Sequence, residues 1–207
     1  MQERNIWTIG HSTRDLGKFI AMLRSFQIEL VVDIRSFPGS RRYPHFNKEA
    51  LAISLPKTGI DYIHLPDLGG RRKPLNDSNN TGWRLAAFRG YADYMETDAF
   101  EKGIKNLELL ASKKRVAYMC SEAVWWRCHR SLIADALLVH GLRVEEITSG
   151  TRRQIHVLTR FAKVSGLVIT YPPETSSPDF PVMDVDVDGT NAPLARVAHR
   201  ATVRPIN

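Results

Sequence analysis

Residues 29–34 read Glu29-Leu30-Val31-Val32-Asp33-Ile34, a short and almost continuous apolar run. A strand that is buried on both faces shows such a run, whereas a half-exposed strand alternates between apolar and polar residues. The run therefore predicts an inner strand of a parallel sheet. The preceding segment, 16–26, carries its apolar residues at the three- and four-residue spacing of a helix.

The same alternation of strands and helices continues along the chain. The predicted strands are 6–10, 29–34, 60–65, 115–120 and 143–148, and the predicted helices are 16–26, 48–57 and 130–140, with two more in 84–112 that are broken near Thr97 and Asp98. This order predicts an α/β fold, a single domain whose mostly parallel central sheet has helices on both faces. We expect the α/β domain to span 1–172 and residues 173–207 to form an irregular C-terminal tail.

Composition limits the class of protein. Of 207 residues, 43% are hydrophobic and 25% charged, which excludes wholesale disorder. No apolar stretch is long enough to span a membrane, the first residues lack the apolar core of a signal peptide, and two cysteines exclude a disulfide scaffold. We therefore expect a cytoplasmic protein with no membrane partner, while its oligomeric state stays open. The net charge of +7 favours an anionic partner, a nucleotide or nucleic acid, although an ordinary basic surface explains it equally well.

Unusual residues follow four of the predicted strands, where an α/β fold places its ligand site. The segments are Gly10 to Arg14, Asp33 to Asn47, His64 to Arg72, and Cys120 to Arg130. Since parallel strands deliver their following loops to one edge of the sheet, we expect these segments to form a single site.

These segments resemble the domain-of-unknown-function 488 family. The resemblance rests on Thr8-Ile-Gly-His-Ser-Thr-Arg14, Asp33-Ile-Arg-Ser-Phe-Pro38, His64-Leu-Pro-Asp-Leu-Gly-Gly70 and Cys120-x-Glu122-x5-Cys128-His129-Arg130. It covers roughly residues 5–150 and implies an α/β fold with a shared site. It implies no reaction, so the chemistry has to be inferred from the residues.

Glu122 is the first candidate for catalysis. It lies two residues beyond a predicted strand, beside Trp125 and Trp126, and apolar neighbours raise the pKa of a carboxyl group. A general acid or base needs a pKa near neutrality. The structural alternative is an ion pair with Arg127 or Arg130.

Asp33 and Cys120 are the other catalytic candidates. Asp33 directly follows an apolar strand, where it acts either in acid/base chemistry or sugar recognition, or else forms a structural ion pair with Arg35 or Arg41. Cys120 lies between a strand and the start of a helix, where the pKa of a thiol can be lowered. Its spacing to Arg127 is similar to that in rhodaneses and cysteine phosphatases, whereas an inert buried thiol is the structural alternative.

The remaining candidates are basic, hydroxyl and aromatic side chains of the same segments. Those predicted to contact phosphate or substrate are His11, Ser12, Arg14, Arg35, Arg41, Arg42, His64, Arg71, Arg127, His129 and Arg130, and those predicted to stack on a base are Tyr43, Phe46, Trp125 and Trp126. Interleaved basic and aromatic residues are typical of phosphate contact combined with stacking. Ser12 or Thr13 is expected to cap the following helix, whose free amides add an anion site.

The pattern as a whole favours an enzyme, a hydrolase that acts on a nucleotide or nucleic acid. It would cleave an N-glycosidic or phosphate-linked bond with a carboxylate as general acid or base. Two alternatives stay open: a non-catalytic nucleic-acid-binding module, and a cysteine-dependent enzyme that uses Cys120. Cys120, Cys128, His129 and His11 are residue types that bind zinc, but they lack a recognised ligand spacing. We therefore predict no metal and no cofactor.

Overall fold

The computed structural model describes residues 4–173, in which six strands form a central sheet. In chain order they are β1 (Asn5–Gly10), β2 (Leu30–Asp33), β3 (Asp61–His64), β4 (Val116–Cys120), β5 (Arg143–Ile147) and β6 (Arg153–Ile155). The helices are α1 (Leu16–Ser25), α2 (Lys48–Ser54), α3 (Ala86–Met95), α4 (Asp98–Ala111) and α5 (Arg130–Val139). The order across the sheet is β3-β2-β4-β1-β5-β6, and only β6 pairs antiparallel. A separate hairpin consists of β7 (Lys163–Ser165) and β8 (Val168–Thr170).

Alternate residues of the inner strands pack against opposite layers of helices. Val31 belongs to a core built with α1 and α2, whereas Leu30 and Val32 belong to a core built with α3, α4 and α5. Because helices cover both faces, the strands carry continuous apolar runs. The predicted α/β fold, with a mostly parallel sheet and helices on both faces, is confirmed. The predicted tail, 173–207, lies outside the described residues apart from Pro173.

The start of α1 differs from the prediction. The N-cap is Asp15, whose Oδ1 accepts from the backbone amide of Lys18 at 2.7 Å, and not Ser12 or Thr13. Ser12 lies in the preceding turn with a left-handed φ of 51°. A carboxylate therefore already occupies the helix start that was expected to bind an anion.

The end of α5 at Val139 agrees with the predicted helix 130–140 to within one residue, and Gly141, with a φ of +81°, follows the last helical turn. Within residues 4–173, no helix is both long and apolar enough to cross a bilayer.

Candidate active site

The loops after β1 and β4 run side by side beyond the ends of the two strands. The backbone amide of His11 donates to the carbonyl of Cys120 at 3.0 Å, and that of Ser12 donates to the carbonyl of Ser121 at 2.9 Å. Gly10 makes this approach possible, since a Cβ there would lie 1.8 Å from a carbonyl oxygen of the facing loop. Both loops thus present their side chains at the same edge of the sheet.

This edge holds a cavity of about 410 Å³, here called the main cavity. Its lining consists of His11, Ser12 and Thr13 after β1, of Arg35, Phe37, Gly39, Ser40 and Tyr43 after β2, of Arg71 after β3, and of Ser121 and Glu122 after β4. All four segments that were expected to form a single site contribute to it. Thr13, Phe37, Ser40 and Ser121 also line the cavity but were not predicted to contact a ligand. The one signal in the sequence that could have indicated them was their position in the same loops.

Arg35, which lines the main cavity, belongs to a buried ion pair. Asp33 is fully buried, and its two carboxylate oxygens accept from Arg35 Nε at 2.8 Å and Arg35 Nη2 at 2.6 Å. They also accept from the Arg35 backbone amide at 3.1 Å and from the Tyr62 hydroxyl at 2.8 Å. Of the two roles predicted for Asp33, the structure therefore shows the structural ion pair, with Arg35 as its partner. Four hydrogen bonds leave it no free lone pair for acid/base work.

His11 is neutral and its tautomer is set by its neighbours. Arg35 Nη1 donates to His11 Nε2 at 3.1 Å, so that Nδ1 carries the proton and donates to the Ser12 carbonyl at 2.9 Å. Burial, and then the Arg35 guanidinium, lower the pKa of His11 to about 4. The ring stacks on Phe46 with 4.1 Å between centroids. Phe46 is fully buried and leaves no ring face for a base, which corrects its predicted stacking role.

Glu122 and Arg71 are the charged side chains of the main cavity that stay available to a ligand. Glu122 is exposed, and within residues 4–173 its carboxylate has no ion pair or hydrogen bond, so the structural pairing with Arg127 or Arg130 is not formed. Arg71 is exposed and has a left-handed φ of 65°. Its guanidinium lies 5.6 Å from the ring centroid of Phe37, which is 73% exposed. A carboxylate, a guanidinium and an aromatic ring thus border one space.

Several basic candidates are instead committed to the fold. Arg130 is 1% exposed, donates to Thr8 Oγ1 at 3.1 Å and to a loop carbonyl at 2.7 Å, and lies 3.7 Å from a carboxylate oxygen of Glu146. Arg14 donates to two backbone carbonyls at 2.6 and 3.4 Å, and His64 Nε2 donates to a carbonyl at 2.8 Å. The predicted phosphate contacts of these three residues are not formed at the main cavity, because none of them lines it and their donors bind the protein itself.

Three further exposed candidates, Arg41, Arg42 and Trp126, do not line the main cavity. Arg41 and Arg42 are exposed, and Arg42 lies 5.4 Å from the ring centroid of Tyr43, which itself lines the cavity. Trp126 is 59% exposed, whereas Trp125 is half-buried with its indole nitrogen enclosed. The two adjacent tryptophans therefore divide between surface and interior.

A second cavity of about 220 Å³ adjoins the first and shares Arg71 and Glu122 with it. The rest of its lining is Gly70, Ala87, Phe88, Tyr91, Cys120, Arg127, Cys128 and His129. A hydrogen bond to Cys128, followed by burial, raises the pKa of Cys120 well above its usual value. The bond from Cys120 lowers the pKa of Cys128 to about 7. The expectation of a lowered pKa at Cys120 is therefore wrong, because the neighbouring thiol and burial both raise it.

A family model described as "Domain of unknown function DUF488" matches residues 15–137, more than half of the chain. The chain belongs to the DUF488 family. The matched part of this DUF488 domain includes the loops after β2, β3 and β4, whereas the loop after β1 lies before it. No curated protein and no solved structure matches the chain. The predicted resemblance is confirmed, and the reaction has to be inferred from the geometry of the site.

Proposed function

We propose that this DUF488 protein is a hydrolase that cleaves the N-glycosidic bond of a nucleotide. The observation that carries the proposal is the unpaired carboxylate of Glu122, which borders the same cavity as the guanidinium of Arg71. A carboxylate in a cleft without an ion-pair partner is available for proton transfer. A guanidinium group without an ion-pair partner is available to bind a phosphate group.

The size and lining of the main cavity support a nucleotide as ligand. A volume of about 410 Å³ lies within the range of small-molecule sites. Arg71 would hold the phosphate, and the exposed ring of Phe37 or the half-buried ring of Tyr43 would hold the base. The hydroxyl groups of Thr13 and Ser40 offer partners for a sugar.

The chemistry needs one carboxylate and one water molecule. Glu122 takes a proton from water while the water oxygen bonds to the anomeric carbon of the sugar. The C–N bond breaks, its electron pair stays on the nitrogen of the base, and the proton from Glu122 completes the free base. Phosphoryl transfer fits less well, because it depends on several positive charges around the transferred group. Arg35, the other guanidinium of the cavity, is already bound to Asp33.

The test is the release of free base from a panel of nucleoside monophosphates and short single-stranded DNA and RNA, followed by chromatography. We expect release from at least one nucleotide. Arg71→Ala should raise KM at least about tenfold, since a charged hydrogen bond is lost. Arg41→Ala is the matched control, since Arg41 is exposed but does not line the cavity.

Release from no member of the panel would overturn the proposal. Salt-dependent binding of nucleic acid without any release would favour the non-catalytic binding module instead.

A further inference from the structure

The second cavity brings together three side chains that the proposed hydrolysis does not use. Cys120 ends β4, His129 is the N-cap residue of α5, and Cys128 is the residue before it. Their ligand atoms all lie within 4.8 Å of one another. The two cysteines are free thiols and are buried.

The observed spacing fits the dimensions of a zinc site. Zinc binds thiolate sulfur at about 2.3 Å and imidazole nitrogen at about 2.0–2.1 Å in a tetrahedron, which places neighbouring S and N ligands about 3.6 Å apart and two sulfurs about 3.8 Å apart. Cys128 Sγ lies 3.6 Å from His129 Nδ1. One edge of a zinc tetrahedron is therefore already formed, although the two residues are adjacent in sequence.

The surrounding backbone holds these groups in place. The amide of Cys128 donates to the carbonyl of Trp125 at 3.0 Å, and its own carbonyl accepts from the Ser131 hydroxyl at 3.0 Å. Gly70 lies against the imidazole, since a Cβ there would be 2.9 Å from His129 Nδ1. Ligands on the end of a buried strand and the start of a buried helix keep their positions better than ligands on a free loop.

We propose that Cys120, Cys128 and His129 bind one zinc ion through their two sulfurs and Nδ1. Two thiolates balance the charge of Zn²⁺, and two sulfurs with one imidazole suit zinc better than the oxygen-preferring Mg²⁺ or Ca²⁺. Three protein ligands leave the fourth position of the tetrahedron to water, as in catalytic rather than closed structural zinc sites. All three proposed ligands line the second cavity, and Glu122 lines it as well.

The first test is metal binding to the full-length, reduced, metal-free protein. We expect one equivalent of Co²⁺ to give the visible spectrum of a tetrahedral, thiolate-ligated ion, and one equivalent of Zn²⁺ to displace it. Zinc should bind with a Kd below about 1 µM and should slow the alkylation of both cysteines. Binding weaker than about 10 µM, or a cobalt spectrum without thiolate ligation, would overturn the proposal.

Variants assign the ligands. Cys128→Ser and His129→Gln should each weaken zinc binding by more than about a hundredfold, a larger loss than the removal of an outer partner causes. His64→Gln is the control, because His64 is half-buried near the same edge and, among residues 4–173, its ring bonds only to a backbone carbonyl. Unchanged affinity in both ligand variants would refute the assignment. If either variant fails to fold, the alkylation assay on the wild-type protein decides whether the cysteines are ligands. Cysteines that react at the same rate with and without zinc would also refute the assignment. None of these measurements needs turnover, so they succeed or fail independently of the proposed hydrolysis.

Discussion

Protonation of His11 is expected to destabilise the folded protein as the pH falls. The side chain is 3% exposed, and burial followed by the Arg35 guanidinium lowers its pKa from 6.5 to about 4. The unfolded chain therefore takes up a proton at His11 below about pH 6.5, whereas the folded chain resists until about pH 4. The stability that neutral His11 contributes is present above pH 6.5 and is lost as the pH falls through this window.

The size of this effect follows from the two pKa values. At 1.36 kcal/mol per pH unit, the interval corresponds to about 3 kcal/mol once both states are protonated, and about 2 kcal/mol of it is lost by pH 5. The assay is urea unfolding at pH 7 and pH 5 of the wild type and of His11→Gln, whose amide oxygen can still accept from Arg35. The variant is less stable at pH 7, because the ring stacked on Phe46 is gone. Between pH 7 and 5, however, the wild type should lose about 2 kcal/mol more than the variant, and equal losses would refute the reasoning.

Three further predictions concern buried groups. Asp33→Asn should lower the free energy of unfolding by about 3–5 kcal/mol, because it strands the buried guanidinium of Arg35, and a loss below about 1 kcal/mol in urea unfolding would contradict this. Burial raises the pKa of Glu146 from 4.5 to about 8. The stability that protonated Glu146 contributes to the folded protein is therefore fully present below pH 4.5 and is lost as the pH rises to 8. Between pH 5 and 8 the free energy of unfolding of the wild type should therefore fall relative to that of Glu146→Gln, and equal changes in the two proteins would contradict this. Gly10→Ala should lower Tm, because the added Cβ would lie 1.8 Å from a carbonyl oxygen. Gly39→Ala should not, because no atom of residues 4–173 lies within 4 Å of a Cβ there, and equal Tm values would count against the close approach of the two loops.

The sequence was sufficient to predict the parallel part of the sheet, because burial on both faces leaves a continuous apolar run in each inner strand. It did not predict β6 or the β7–β8 hairpin. All three residues of β6, Arg153–Ile155, are exposed, as are those of β7, Lys163–Ser165. Strands of this kind carry no strong apolar signal, since they are defined by the neighbour with which they pair.

The location of the site was predictable for a topological reason, since every parallel strand brings its following loop to the same edge. The role of each side chain depended on partners distant in sequence. Arg130 binds Thr8 and faces Glu146 across the structure, and Phe46 packs against His11 and Phe19. A local motif does not show which arginine is enclosed and which, like Arg71, reaches solvent.

The most direct test of the account is the effect of Glu122→Gln on turnover and on stability, measured on the same preparation. The substitution keeps the shape of an exposed, unpaired side chain, so Tm should stay within about 2 °C of the wild type. Base release should become at least about a hundredfold slower, because the group that moves the proton is gone. Glu49→Gln, an exposed carboxylate on α2, should change neither quantity. Base release at the wild-type rate, or a loss of release that a large fall in Tm explains, would contradict a catalytic Glu122.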